Sequence, residues 1–462
     1  MNPQVFREYD IRGVADRDLD DDFVCDLGRA FATYLRARAD KDALTVAIGR
    51  DPRLTSPRLR AAFTRGITEL GVDVIDIGVV PTPILYFSAF HFATDGAVMI
   101  TGSHNPPADN GFKLLREKTS LFGDDVRALR DIILSRSFAA APEAAGTITE
   151  RDAVTPYLSH ATSKLRLGDR RFKVVVDAGN GAGGPAGVAL YRALGFEVID
   201  LYCEMDGAFP NHHPDPTVPA NIADLRQRVL DEGAALGIAF DGDADRLGAI
   251  DNHGRTLWGD QIMILLGRAI LDDCPGASFI GEVKCSQALY DELEKAGGHP
   301  IMWKVGHSLI KAKMKESGAL LGGEMSGHIF FANRYLGFDD AIYAGARLLE
   351  ILSHTEKTLG DLYDTLPVMV NTPEIRIDCP DDIKFAVVSR VTDRLRARSD
   401  VQSVVDVDGV RARVAGGWGL VRASNTQPAL VVRCEADSET RLAEILASIQ
   451  GEVAAARTEV AP

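Results

Sequence analysis

The sequence predicts an α/β fold: three related mixed α/β domains followed by a smaller α+β domain at the C-terminus. Two observations carry that expectation. As far as residue 365, short runs rich in Val and Ile alternate with segments of helical periodicity, the pattern of βαβ units and mainly parallel sheets. Beyond Pro367 the order changes to several strand-like runs with two helical segments. The length of 462 residues suits three or four domains.

In the first stretch, strands are expected at 44–49, 72–77 and 96–100. A helix over 21–39 follows from Phe23, Val24, Leu27, Phe31, Tyr34 and Leu35 at helical spacing. The alternation returns at 172–177, 184–194, 196–201, 219–232 and 236–240, and again at 278–283, 285–296, 299–304, 306–317 and 319–322. Each stretch closes on a polar loop: Thr101–Pro106, Asp241–Arg246 and Gly323–His328. In open α/β sheets, ligands sit beyond the carboxyl ends of strands, so these loops are placed for chemistry. The last stretch has strand-like runs at 368–378, 401–406, 409–413, 418–423 and 429–435, with helices near 380–397 and 438–456. The Ala- and Glu-rich connector 138–150 sets the first boundary, which gives domains 1–150, 151–252, 253–366 and 367–462.

Composition excludes several function classes. The formal net charge is −15, a poor basis for binding nucleic acid, which needs a basic face. A local cluster of Arg and Lys can still hold a small anion against that field. No apolar run reaches the ~18 residues of a membrane span. The opening MNPQVFREYD is charged and has no signal-peptide core. The cysteines at 25, 203, 274, 285, 379 and 434 form no CxxC pair, the pattern of free thiols in a reducing compartment. A soluble cytoplasmic protein is the expectation.

The acidic loop is the most specific motif. The apolar run Leu236–Phe240 ends in Asp241-Gly242-Asp243-Ala244-Asp245-Arg246. In extended chain, carboxylates at i, i+2 and i+4 share one side and repel unless a cation neutralises them. Oxygen-only ligands favour a hard metal, Mg²⁺ before Ca²⁺. An EF-hand is rejected, because its sixth and twelfth positions would be Arg246 and Asn252 instead of Gly and Glu. A solvated acidic turn is the bland alternative.

Three other loops are weaker alone. Thr101-Gly102-Ser103-His104-Asn105-Pro106-Pro107 presents a serine fit to be a nucleophile or phosphate carrier, or an ordinary polar turn. His104 is not automatically its base, since adjacent side chains usually diverge. Gly323-Glu324-Met325-Ser326-Gly327-His328 offers a carboxylate for sugar hydroxyls and an imidazole acid or base. Arg422-Ala423-Ser424-Asn425-Thr426-Gln427-Pro428 groups a guanidinium fork with hydroxyl and amide donors suited to phosphate, or forms a polar hairpin turn.

One motif points elsewhere. Gly179-Asn180-Gly181-Ala182-Gly183-Gly184 fits G-x-G-x-x-G after a strand, with Asp200 at the spacing of a ribose contact. Alone it reads as dinucleotide binding and a dinucleotide-dependent oxidoreductase. The same glycines could serve only to pack a tight strand–helix turn, and hydride transfer gives the other four loops no role. Adjacent His212 and His213 are read as structural, because neighbouring side chains rarely ligate one ion.

Together these segments resemble the α-D-phosphohexomutase family, in its bacterial phosphomannomutase/phosphoglucomutase branch. The resemblance runs nearly the whole length: FREYDIRG at 6–13, IGRD at 48–51, TGSHNPP at 101–107, NGFK at 110–113, FPNHHPDP at 209–216, DGDADR at 241–246, VKCS at 283–286, GHSLIK at 306–311, GEMSGH at 323–328 and RASNTQP at 422–428. Ala108 and Pro52 depart from the family pattern.

The resemblance implies four domains around one central cleft and interconversion of hexose 1-phosphates and hexose 6-phosphates, of mannose or glucose. Ser103 would be the phosphoserine, and Asp241, Asp243 and Asp245 would hold Mg²⁺ with an oxygen on Ser103. Arg12, Lys113 and Arg246 would stabilise charge near that phosphate, with His328 as general base and Lys113 as proton donor. Glu324 and Ser326 would grip sugar hydroxyls. Arg422, Ser424, Asn425 and Thr426 would hold the non-reacting phosphate, and Tyr9, Lys284 and His307 would line the cleft. A hexose 1,6-bisphosphate would be the intermediate and activator. Phosphoglucosamine mutase is a near neighbour and the alternative substrate class. A phosphosugar is the expected partner, with no nucleic acid or membrane, and a monomer is possible.

Overall fold

The computed structural model describes residues 2–424 and 428–460. The chain forms two compact units: Met1–Ile262 with Ser326–Tyr363, and Met263–Met325 with Asp364–Pro462.

The first unit holds two sheets. One runs, from edge to edge, Ile11–Val14, Asp109–Arg116, Gly96–Ile100, Thr45–Arg50, Asp73–Val79 and Ile148–Glu150. The helix Asp21–Arg36 starts where the Asp20 carboxylate accepts the Phe23 amide at 2.9 Å, a standard N-cap. All six apolar residues that predict this helix are buried, and they join Phe63, Phe112 and Val98 in one core. The second sheet runs Thr256–Leu257, Leu247–Asp251, Leu236–Phe240, Lys173–Asp177 and Glu197–Leu201. The helix Ala341–Ser353, capped by Asp340, belongs to the same unit.

These two sheets are mixed where mainly parallel ones were expected, and connection length explains it. A parallel return needs a crossover of about a dozen residues or more. The loop after Ile100 reaches the next strand at Asp109, and the loop after Phe240 reaches the next at Leu247. Both chains therefore reverse and pair antiparallel, Met99 against Lys113 and Phe240 against Leu247. The reversal places both loops at strand ends, and it carries Lys113 back beside the serine loop's own strand.

The second unit also has two sheets. Strands His299–Trp303, Ser278–Glu282 and Leu321–Gly323 are parallel, with helices Gln287–Lys295 and His307–Ser317 between them. The other is an antiparallel sheet: Val370–Asn371, Ala429–Ala436, Gly417–Ala423, Val410–Val414 and Val401–Val405, with Ile375–Asp378 also pairing to Ala429–Ala436. Alternation along Ala429–Ala436 sends Leu430, Val432 and Cys434 into a core with helices Lys384–Arg396 and Glu439–Val460. Trp418 and Leu420 pack instead with Val283. All six cysteines are free, and five are buried. Among the described residues no helix is long and apolar enough to cross a membrane.

Candidate active site

Ser103 sits just past the strand Gly96–Ile100 with a left-handed backbone, φ +49°. For a residue with a Cβ that conformation is sparsely populated and must be held by its surroundings. Its amide donates to Thr101 Oγ1 at 2.8 Å, and its carbonyl accepts Arg53 Nη2 at 2.7 Å. Arg53 is fully buried and also donates to the carbonyls of Asn105, Pro106 and Asp109 and to the Asp51 carboxylate. Asp51 in turn accepts the Thr101 hydroxyl and the Gly102 amide. The serine loop is thus wrapped around a buried ion pair.

The acidic loop meets this loop directly. Ser103 Oγ donates to Asp241 Oδ2 at 2.9 Å. A Cβ on Gly242 would lie 2.4 Å from the Ser103 carbonyl oxygen, so only glycine allows the approach. The other Asp241 oxygen accepts the amides of Asp245 and Arg246. His104 does reach its neighbour, contrary to expectation, with Nδ1 3.0 Å from Ser103 Oγ. The left-handed turn at Ser103 brings the two side chains to one side. Burial, with Arg246 and Arg12 nearby, pushes the His104 imidazole well below its ordinary range and keeps it neutral. The single hydroxyl proton goes to Asp241, so His104 donates its own Nδ1–H.

Asp241, Asp243 and Asp245 are all buried, and each offers a carboxylate oxygen within 4.8 Å of the others. Burial, followed by repulsion from Asp245 and Asp243, pushes the Asp241 carboxyl well above its ordinary value. Lys113 Nζ supplies partial compensation, 2.7 Å from Asp243 Oδ2 and in contact with Asp245 Oδ2. Burial opposes its charge, but the two aspartates outweigh burial and hold the ammonium well above its ordinary value. Thr82 donates to Asp243 Oδ2 at 2.6 Å. Among the described residues Asp243 Oδ1 and Asp245 Oδ1 are buried and accept no hydrogen bond, with His328 Nδ1 3.5 Å from the latter. Two orphaned anionic oxygens in an all-oxygen site fit a hard divalent cation such as Mg²⁺.

His328 faces the same loop across a bridge between Arg246 and His328. Its Nε2 accepts Arg246 Nε at 3.0 Å, so the ring proton is on Nδ1 and donates to Asp339 Oδ2 at 3.0 Å. Nε2 is therefore the ring's basic nitrogen, its lone pair held by Arg246. Arg12, on the edge strand, donates to Asn105 Oδ1 and Asp10 Oδ2. Tyr9 and Ser326 are half-buried in the same unit.

The second unit gathers a separate polar cluster. Lys284 Nζ donates to Glu374 Oε1 at 2.8 Å, and its amide to Glu282 Oε2 at 2.5 Å. Glu324 Oε1 accepts the Gly306 amide at 2.8 Å, next to half-buried His307. Arg422 pairs with Asp408 at 3.0 Å, and the Ser424 carbonyl accepts Lys384 Nζ at 2.7 Å. Arg433 is directly across from Leu420, on the sheet face of Arg422. It is 4% exposed, yet its Nε and Nη1 have no partner among the described residues. A buried guanidinium with idle donors is prepared for an anion. Asn425 and Thr426 lie outside the described residues.

The glycine fingerprint has a packing role. A Cβ on Gly184 would lie 2.2 Å from the Cys203 carbonyl, and the Ala182 amide is spent on the Gly242 carbonyl. Asp200 is exposed and paired with Arg192 at 2.7 Å. His212 is structural: Nε2 is 3.0 Å from both Asp177 oxygens.

Several members of these clusters were not singled out in the sequence. Arg53 follows the IGRD motif by two residues, and an arginine so close to a conspicuous Asp is the signal that could have found it. Asp339 carried a signal only as one of a pair of aspartates ending the GEMSGH stretch's neighbourhood. Thr82 and Arg433 carried none.

Comparison with known proteins agrees with this arrangement. The phosphoglucomutase/phosphomannomutase models match in chain order: α/β/α domain I at residues 3–140, domain II at 155–254, domain III at 258–369 and the C-terminal domain at 374–451. A phosphomannomutase/phosphoglucomutase of Pseudomonas putida is 44% identical over 443 residues, 96% of this chain and 93% of that protein. A phosphoglucomutase of Neisseria gonorrhoeae is 42% identical over 444 residues, 96% of this chain and 95% of that one. The crystal structure of a phosphoglucomutase/phosphomannomutase family protein from Burkholderia thailandensis superposes with a TM-score of 0.91 at 40% identity, covering 99% of this chain and 98% of that one. With the four domain models in order and a serine, three aspartates and a histidine joined in one buried cluster, the chain belongs to the phosphoglucomutase/phosphomannomutase family of α-D-phosphohexomutases.

Proposed function

We propose that the protein is an isomerase that interconverts hexose 1-phosphates and hexose 6-phosphates, of mannose and glucose, by intramolecular phosphoryl transfer. The observation that carries this reading is the contact of Ser103 Oγ with Asp241, beside two buried aspartate oxygens that accept no hydrogen bond. A hydroxyl set against a cation site is the arrangement a phosphoserine donor needs. We assign four domains, 1–150, 151–252, 253–366 and 367–462, and a soluble cytoplasmic enzyme able to act as a monomer.

Asp241, Asp243 and Asp245 would hold Mg²⁺ with an oxygen on Ser103. The bound ion would neutralise charge on the transferring phosphoryl group. Ser103 in its phosphorylated form gives up the group to a sugar hydroxyl; the Ser103 Oγ–P bond breaks as the sugar O–P bond forms. His328 takes the proton of that hydroxyl at Nε2 once Arg246 turns from the ring to the phosphate. Asp339 holds Nδ1–H and keeps the ring in that tautomer. Arg12, Arg246 and Lys113 balance the phosphate charge, and Lys113 returns a proton to Ser103 Oγ. The hexose 1,6-bisphosphate then turns round and gives its other phosphate back to Ser103. Glu324 and Ser326 hold sugar hydroxyls. Arg422, Ser424, Asn425 and Thr426, with Arg433, hold the phosphate that is not reacting, and Tyr9, Lys284 and His307 line the cleft.

The test is a parallel assay on mannose 1-phosphate, glucose 1-phosphate and glucosamine 1-phosphate, with Mg²⁺ and a trace of the matching bisphosphate. Comparable turnover of the first two is expected. Turnover of glucosamine 1-phosphate alone would keep the chemistry and replace the substrate. Silence on all three from folded, metal-loaded protein would overturn the reading.

A further inference from the structure

A cavity of about 380 Å³ opens between the end of the helix Val154–Lys164 and the turn after the strand Ile329–Phe331. Lys164, Arg166, Arg334, His160 and Tyr335 line it. Neither the catalytic assignments nor the family motifs use any of these residues.

Three of the five are permanently cationic. Arg334 is spoken for in part: Nη2 donates to Glu350 Oε1 at 2.5 Å, and Nη1 to the Lys164 carbonyl at 3.1 Å. These bonds, and a left-handed backbone at φ +59°, fix Arg334 against the helix end. The second Glu350 oxygen accepts the Arg166 amide at 2.7 Å, so one carboxylate organises both cationic residues. The Lys164 ammonium has no carboxylate partner among the described residues. His160 Nε2 is buried without a hydrogen-bond partner among the described residues. Its ring packs between Phe87 and Tyr335, at 5.3 and 5.7 Å between centroids.

In a chain of net charge −15, a concave site whose lining, among the described residues, holds three cations and no carboxylate is a local reversal of the field. An ammonium without a counter-charge, beside two guanidinium groups in the same lining, leaves donors for oxygen atoms. We infer that this pocket is a second anion site, apart from the serine and aspartate cluster, that takes a phosphate group. The group could arrive as inorganic phosphate or as part of a phosphomonoester. The inference does not depend on the proposed mutase activity.

Lysine acetylation read by peptide mass spectrometry tests it on the intact protein. Lys164 is the reporter, and Lys41, 58% exposed and paired with Asp95, is the control. Inorganic phosphate at ten times its dissociation constant is expected to slow Lys164 labelling about tenfold by simple occupancy. Labelling of Lys41 should not change. Equal protection by phosphate and glucose 6-phosphate would identify the phosphate group as sufficient. Protection by glucose 6-phosphate alone would identify an organic phosphomonoester. In both cases Arg166→Gln should move the protection curve to higher ligand, while the KM of the hexose phosphate stays in place. No protection, the same protection from sodium chloride at matched ionic strength, or a curve unmoved by Arg166→Gln would overturn the inference.

Discussion

Arg53 Nη2 donates to the Ser103 carbonyl at 2.7 Å, so the serine proposed to carry the phosphoryl group is anchored by a guanidinium 50 positions earlier in the chain. The same guanidinium ties down Asn105, Pro106 and Asp109. Replacing it with Met would leave the Asp51 carboxylate buried and uncompensated, at a cost of about 3–5 kcal/mol. Urea unfolding of Arg53→Met should show a loss of that size. A midpoint equal to wild type would mean that the loop holds itself.

Ser103→Ala removes the oxygen that would carry the phosphoryl group. Turnover should fall by at least about a thousandfold, since positioning alone cannot replace a covalent carrier. Intact-mass measurement should lose any phosphate-sized increment seen in the wild type. An increment that survives would place the phosphate on another residue.

Mg²⁺ should stabilise the fold through the aspartate loop. A ligand at a hundred times its dissociation constant adds about 2.7 kcal/mol if it binds only folded protein. Wild-type Tm should rise on adding Mg²⁺ and return with a chelator. Asp243→Asn removes one ligand charge and should abolish most of that rise. An unchanged rise would move the metal elsewhere.

Arg422 and Arg433, whose Nε and Nη1 have no partner among the described residues, form the proposed clamp for the phosphate that is not reacting. Arg422→Gln loses charge-assisted hydrogen bonds worth about 1.5–3 kcal/mol. KM should rise roughly 10- to 150-fold, in the same proportion for the 1-phosphate and the 6-phosphate. A change confined to one isomer would count against a clamp that serves both orientations.

Burial pushes the Asp340 carboxyl up to about 6, although Tyr343 N, Tyr335 and Tyr157 all donate to it. In the unfolded chain it titrates near 4. The fold therefore binds this proton more tightly, and its stabilising effect is complete below about pH 4. As pH rises through about 6, on the order of 2–3 kcal/mol of stability is lost, and the effect is level above that. Asp340→Asn should flatten this part of the pH–stability curve. Parallel curves for the two proteins would assign the slope to another group.

Much of this molecule was legible in the sequence, for identifiable reasons. The helix Asp21–Arg36 was readable because one face buries at regular spacing, and the strands before each loop because they are apolar throughout. The antiparallel returns at Asp109–Arg116 and Leu247–Asp251 were not read, since they follow from loop length and not from composition. The residues proposed to react were conspicuous as polar runs at strand ends. Their supports were not: Thr82 reaches Asp243 across 161 positions, and no local pattern announces such a contact. The approach of His104 to Ser103 was not foreseen, because the left-handed turn at Ser103 cannot be seen in letters.

Lys113 lies across Asp243 and Asp245 as a built-in counter-ion. On the proposed metal assignment the aspartate loop would be a socket and not a staple: the chain would fold first and take its ion afterwards. Stripping and reloading the protein with different divalent ions should need no refolding step, so ions can be exchanged one against another on a single preparation.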